Sequence, residues 1–361
     1  MIAISRIMSV GYGCGYGGAH SRDSNYNFKH FRILKFLAKN SSIINFIDTA
    51  AEYGNGKSEK IIGRLSKNEK KNFFISTKVS SENLTYNRFI NSVKKSLKRL
   101  KVKKIDLIQP HWPNPKVDID ETISAYRFLK KKKLVRFFGL SNYDLNTIKY
   151  CKKILKKNFR FIQDEYSICN RHIEKTKINF CLKNNINILA YSPLGSGNFN
   201  LNINQRKLLK KLSSKYMVTP YSIALKFLLS RSKNIIVIPN SLNKVNIISN
   251  IQSNNLKISK IDLKKIDKLF ATKIIKIKLK NIIYFDKKYK KISSIEDAKK
   301  NKYKFVPSPL ELSKKIMDGE VLKPIQLFKD GKKYKLVNGR LRFWSYVLAF
   351  GWEYEIDAII K

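Results

Sequence analysis

The chain has 361 residues, 43% of them hydrophobic, with 74 Lys or Arg against 26 Asp or Glu. That apolar content supports buried cores despite a formal charge of +48, so a disordered polycation is excluded and one large domain plus a small one is expected. The charge is spread evenly, 52 basic against 16 acidic residues over 1–272 and 22 against 10 over 273–361, whereas a dedicated nucleic-acid surface would concentrate it.

In chain order, residues 1–6 lack a basic region followed by an apolar run, so no secretory leader is read there and a cytoplasmic location is expected. Short β-rich runs then alternate with longer segments of helical period, which predicts βα units on a parallel sheet. Eight strands are expected, at 6–12, 44–48, 72–78, 105–109, 135–140, 161–165, 187–191 and 235–238. Between them, Tyr86–Leu100 repeats Phe89, Val93, Leu97 and Leu100 at helical spacing, and Thr219-Pro220 pairs a capping residue with a first-turn proline. Eight β and eight α elements fit a (β/α)8 barrel, with a doubly wound sheet as the alternative.

The last barrel helix is expected at 259–270, which sets a barrel domain at 1–272 and a small α+β domain at 273–361. The second domain opens with 274–283, which alternate with period two as one half-buried strand should. A helix near Pro309–Met317, a strand at 324–328, a turn at Asp330-Gly331, a strand at 333–337 and a helix after Gly339 follow. No segment holds the roughly 18 apolar residues of a membrane span. Cys14, Cys151, Cys169 and Cys181 form no Cys-x-x-Cys pair and His occurs four times, so neither a disulfide framework nor a metal site is expected. The Gly13–Gly18 stretch has the spacing of a dinucleotide-binding turn, but no amphipathic helix follows it, and a Gly-rich loop is expected instead.

Barrels of this kind collect their chemistry at the C-terminal ends of the strands. There the sequence places Asp48 and, just beyond it, Tyr53; then Lys78; then His111. Singly, each has a plainer role: a cap, a packed ring, a solvated cation. Together, Asp48-Thr49-Ala50-x-x-Tyr53-Gly54, Lys78 and His111 resemble the catalytic tetrad of the aldo-keto reductase superfamily in order and spacing. Ser58-Glu59 with Gly63, Gly139-Leu140-Ser141-Asn142, Gln163-x-Glu165-Tyr166 and Tyr191-Ser192-Pro193-Leu194-Gly195 extend the resemblance over residues 4–272.

Reducing a carbonyl needs a hydride at carbon and a proton at oxygen. A free phenol, with a pKa of about 10, is a weak acid. A neighbouring cation lowers that value, which Lys78 can do while Asp48 keeps the ammonium charged, and His111 can donate to the oxygen as negative charge builds there. The resemblance implies Tyr53 as the acid, a small-molecule carbonyl substrate, and NADP(H) as cofactor with NAD(H) as the alternative. It implies that Ser141, Asn142 and Gln163 bind the nicotinamide carboxamide and that Tyr191 lies at the ring. Ser192, Leu194, Ser241, Lys244 and Asn250 complete the implied cofactor contacts. Asn240 and Asn246 stand where the family often has Lys and Arg, so the guanidinium grip on a 2′-phosphate is absent from this stretch. Lys244 is the nearby cation, and relaxed cofactor use is expected. Trp112 and the pair Tyr12/Tyr16 are candidates for the pocket wall.

Residues 273–361 resemble the ParB/sulfiredoxin-like domain through Gly319-Glu320-Val321-Leu322-Lys323-Pro324-Ile325 and Tyr334-Lys335-Leu336-Val337-Asn338-Gly339-Arg340-Leu341-Arg342. Gly339 entering a helix, with Arg342 three residues on, suits a phosphate, although Leu341 replaces a usual basic residue. The resemblance implies a nucleotide partner, with nucleic acid less favoured. The plainer role for Arg342, Phe343 and Trp344 is a small core and its rim. The rival expectation for the whole chain is a regulatory protein that senses cofactor and binds nucleotide or nucleic acid.

Overall fold

Each β-rich run of the first 270 residues pairs with the next in a parallel ladder, because the intervening helical segments return the chain to the same edge. The computed structural model describes residues 2–15, 25–42, 44–195, 201–271, 274–284, 294–302, 305, 307–318, 322, 324–331 and 333–360. The chain divides into two units, Met1–Phe270 and Ala271–Lys361. In the first, the strands are β1 (Tyr12–Gly13), β2 (Phe46–Asp48), β3 (Phe74–Val79) and β4 (Ile105–Pro110). They continue with β5 (Val135–Ser141), β6 (Phe159–Glu165), β7 (Asn187–Tyr191) and β8 (Ile235–Val237). A parallel bridge between Val10 and Val237 joins the two ends of this sheet, so the unit is a (β/α)8 barrel.

The first expected strand, at 6–12, is reduced to Tyr12–Gly13. Asn45 accounts for part of the loss: its side chain accepts from the Met8 N–H at 2.9 Å and donates to the Arg6 carbonyl at 2.6 Å, which satisfies those groups outside a ladder. Ile4–Arg6 forms a single 3-10 turn, and Ile2, Ile4 and Ile7 pack against the residues that fill the barrel.

The filling follows from period two. Phe46, Phe74, Leu107, Phe161 and Leu189 point into the barrel and are fully buried. Two residues further along their strands stand Asp48, Ser76, Gln109, Gln163 and Tyr191. An apolar layer therefore underlies a polar one at the C-terminal mouth. Each of the buried phenylalanines contributes roughly 2 kcal/mol by leaving water, and together they hold the polar layer in place.

Around the barrel, Tyr86–Leu100 is a helix whose buried face is Phe89, Val93, Leu97 and Leu100 with Ile90 and Ser96. Thr219 caps the helix Pro220–Arg231 by accepting from the Ser222 N–H, and Ser259 caps Lys260–Leu269. No helix among the described residues is long and apolar enough to cross a membrane, and no group of His, Cys, Asp and Glu among them is placed to hold a metal ion.

The second unit contains a five-stranded sheet. Its strands are β9 (Ile274–Lys278), β10 (Ile282–Ile283), β11 (Ile325–Asp330), β12 (Lys333–Asn338) and β13 (Glu355–Ile360). The order is β10-β12-β11-β13-β9, so the single strand expected at 274–283 is two strands on opposite edges. A 3-10 turn at Leu279–Asn281 separates them, with the Leu279 and Lys280 N–H groups given to the Tyr354 and Trp352 carbonyls. Gly331 (φ 58°) turns β11 into β12, and helices Pro309–Met317 and Arg340–Phe350 follow the sequence pattern.

Candidate active site

The polar layer at the barrel mouth is one connected network. Lys78, fully buried on β3, donates to Asp48 Oδ2 at 2.6 Å, to the Thr49 carbonyl at 2.9 Å and to the Tyr53 hydroxyl at 3.2 Å. Parallel pairing creates this contact, because Asp48 pairs with Ser76 and the side chain of Lys78 lies one inward step further along the same strand. The second carboxylate oxygen of Asp48 accepts from Ser76 Oγ at 3.0 Å and from Gln163 Nε2 at 2.9 Å, and Ser76 in turn accepts from Gln109. An ammonium buried this deeply is tolerable only because all three of its protons have acceptors.

Burial works to lower the Lys78 pKa, but the Asp48 carboxylate, Tyr53 and their hydrogen bonds outweigh it and hold the ammonium above its ordinary value. At Tyr53 the balance is reversed. Burial raises the phenol above its ordinary value, and Lys78 pulls it down without cancelling that rise. The lowering expected from Lys78 is present, but desolvation of the phenolate is the larger effect.

His111 follows β4, with its ring edge-on to Tyr53 at a centroid distance of 5.6 Å. Its Nδ1 is hydrogen bonded to Glu52 Oε2, a partner the sequence pattern did not single out. Trp112 stacks on the His111 ring and is 45% exposed at the mouth. Tyr12 is buried and donates to the Ser241 carbonyl at 3.3 Å, which makes it packing and not pocket wall. Tyr16, with the rest of the glycine-rich stretch from that residue on, lies outside the described residues.

Across the mouth, Ser141 ends β5 beside Gln163 on β6. Asn142 takes a left-handed conformation (φ 67°), donates to Ser141 Oγ at 3.0 Å and to the His111 carbonyl at 3.2 Å, and accepts from the Tyr191 hydroxyl at 2.9 Å. Ser192 and Leu194 follow β7, and both are half-buried. Asn250 is buried in the helix Lys244–Asn255. Ser241 and Lys244 line a cleft of about 600 Å³ together with Lys29 and Arg32 from the helix Tyr26–Lys39. The sequence pattern did not point to those two cations, since nothing in the spacing shows that the first helix meets the segment after the last strand.

It also gave no role to Glu59. That buried carboxylate accepts from Thr77 at 2.6 Å and from Arg99 Nε at 2.5 Å, tying the helix Lys57–Gly63 to β3 and to Tyr86–Leu100. In the second unit, Gly339 (φ 99°) opens the helix Arg340–Phe350, and the Arg342 guanidinium donates to the Pro324 carbonyl at 2.9 Å. Gly319, Glu320, Val321 and Lys323, part of the sequence resemblance there, lie outside the described residues.

A parallel eight-stranded barrel with a buried carboxylate and ammonium joined to a half-buried phenol at its C-terminal mouth defines a class of cofactor-dependent oxidoreductases. The sequence profile of the Aldo/keto reductase family matches residues 14–271, and the chain belongs to that family. "Probable aldo-keto reductase 1" of Glycine max is 27% identical over 297 residues, covering 72% of this chain and 84% of the relative. The crystal structure of the thermostable aldo-keto reductase Tm1743 in complex with the inhibitor epalrestat superposes with a TM-score of 0.67 at 29% identity, covering 73% of this chain and 95% of that one. An aldo-keto reductase from Klebsiella pneumoniae in complex with NADPH shares the fold at a TM-score of 0.67 and 20% identity, over 73% and 91% of the two chains.

Proposed function

We propose that the chain is an NAD(P)H-dependent reductase that interconverts a small aldehyde or ketone and its alcohol, with Tyr53 as the proton donor. The observation that carries this is the buried Asp48–Lys78–Tyr53 chain of hydrogen bonds. The residues at the mouth suit a nicotinamide dinucleotide: amide and hydroxyl groups end β5 and β6, and the cleft at Ser241 and Lys244 is lined by cations. NADP(H) is the favoured form, in keeping with the NADPH bound by the Klebsiella pneumoniae relative.

When bound, the cofactor supplies the hydride. The chain supplies everything else. Tyr53 gives its hydroxyl proton to the substrate oxygen as charge develops there, and Lys78, held charged by Asp48, stabilises the phenolate that remains. His111, held through Nδ1 by Glu52 and with its ring edge-on to Tyr53, is the group that stabilises the charge developing on the same substrate oxygen. Gln163 spends its amide N–H on Asp48, which leaves its oxygen to accept from the nicotinamide carboxamide beside Ser141 and Asn142. Tyr191, anchored through Asn142, backs the nicotinamide ring, with Ser192 and Leu194 alongside. Asn250 takes the adenine side.

The second unit is read as a nucleotide-binding module of the ParB/sulfiredoxin-like class, supported by the left-handed Gly339 and by Arg342 in the first turn of the helix it opens. Nucleic acid is its less favoured partner. For the reductase reading, purified protein is expected to oxidise NADPH or NADH with members of an aldehyde panel. Tyr53→Phe is expected to lower kcat by roughly 10²- to 10⁴-fold, the range a general acid supplies. Full turnover in that variant contradicts the assignment.

A further inference from the structure

The helix Lys244–Asn255 places only one cation near the segment after β8, yet the cleft it borders holds three. The other two come from the helix Tyr26–Lys39, which buries Tyr26, His30, Ile33, Leu34 and Leu37 and leaves Lys29 and Arg32, three residues apart, flanking that face. The two elements meet directly: the Lys244 ammonium stands 5.3 Å from the ring centroid of Phe36 on that helix. Arg32 is exposed, with its guanidinium 5.8 Å from the Phe28 ring.

The remaining groups in the cleft are also suited to an anion. Lys244 opens a 12-residue helix, whose first N–H groups and dipole favour negative charge. Ser241 Oγ accepts from the Asn243 N–H at 3.1 Å, and its own proton makes a 3.4 Å contact with the Asn243 carbonyl. Asn240 donates its amide to the Gly13 carbonyl at 2.5 Å and so stitches the segment after β8 to β1.

A planar guanidinium, two ammonium groups and a hydroxyl around one cleft suit a phosphomonoester dianion, whose charge they pair with, better than an uncharged ribose hydroxyl. We propose that Arg32 and Lys29, with Lys244 and Ser241, bind the 2′-phosphate of NADPH, so that the first barrel helix sets cofactor specificity. This rests on the reductase reading above. It replaces the relaxed cofactor use expected from Asn240 and Asn246 with a preference for NADPH, supplied from elsewhere in the chain.

Titration calorimetry of the full chain with adenosine 2′,5′-bisphosphate, and with its 3′,5′ isomer of equal charge, tests the assignment without turnover. The wild type is expected to prefer the 2′,5′ isomer. Arg32→Ala is expected to weaken that isomer by roughly 10- to 100-fold, the loss of a charge-assisted hydrogen-bonded pair. Arg32→Lys, which keeps the charge without the fork, recovers part of the loss. Equal binding of the two isomers by the wild type means only general attraction to a chain of net charge +48, and overturns the proposal. Unchanged 2′,5′ affinity in Arg32→Ala overturns it as well. Turnover with the aldehyde panel is measured separately, so absence of any wild-type turnover defeats the reductase reading, whereas the calorimetric outcomes decide the role of Arg32.

Discussion

Two forces of opposite sign act on one proton at Tyr53. Burial penalises the phenolate and Lys78 favours it, and burial prevails, so the hydroxyl stays protonated beyond its ordinary range. Reduction uses the protonated phenol, and a raised pKa keeps that form present through neutral and mildly alkaline solution. The rate of reduction is therefore expected to hold flat up to about pH 10, while oxidation of an alcohol, which needs the phenolate, climbs across the same range. A pH profile in both directions checks this, and a reductive rate already falling between about pH 7 and pH 9 speaks against Tyr53 as the titrating acid. That Asp48, Lys78 and Tyr53 would come together was legible because they stand at or just past the ends of neighbouring strands. Glu52 was not, since its value lies in a contact with His111, a residue far along the chain that the pairing of β2, β3 and β4 brings near.

Among the elements, the helix Lys57–Gly63 carries a packing constraint that also bears on the site. It follows the loop bearing Tyr53, and a Cβ on Gly63 would fall 2.1 Å from the Arg99 carbonyl of the neighbouring helix. Backbone cannot yield there as a flexible side chain can. Gly63→Ala is expected to destabilise the barrel by roughly 1–3 kcal/mol, read as a lower denaturant midpoint, and a midpoint equal to wild type would show that the two helices separate freely. Most elements were legible from hydrophobic period and caps: Tyr86–Leu100 and Pro309–Met317 stand where the pattern puts them. The failures were at 6–12, a β-rich run expected as one strand, and at 274–283, where alternation suggested one strand. In both, the backbone groups that break the ladder are taken by partners distant in sequence: the Asn45 side chain in one, the Trp352 and Tyr354 carbonyls in the other. Period alone carries no record of such partners.

For the whole molecule, closure of the barrel is what turns scattered strand ends into one site. The ladder runs without interruption from β1 to β8, and the bridge from Val10 to Val237 brings the segment after β8 beside the first strand. This is why the cations of the first helix and of the helix after β8 line one cleft, and why no local stretch of sequence announced it. The even charge distribution is legible at this scale from residue counts alone, and it argues against a specialised nucleic-acid surface. The central claim is that Asp48, Lys78 and Tyr53 act as a single proton-donating unit, and a double-mutant cycle with Tyr53→Phe and Lys78→Met in single-turnover reduction tests it most directly. If they act as a unit, the double variant is no slower than the worse single variant, because either substitution already disables the donor. Losses that simply multiply would show Lys78 and Tyr53 working independently and would contradict the account.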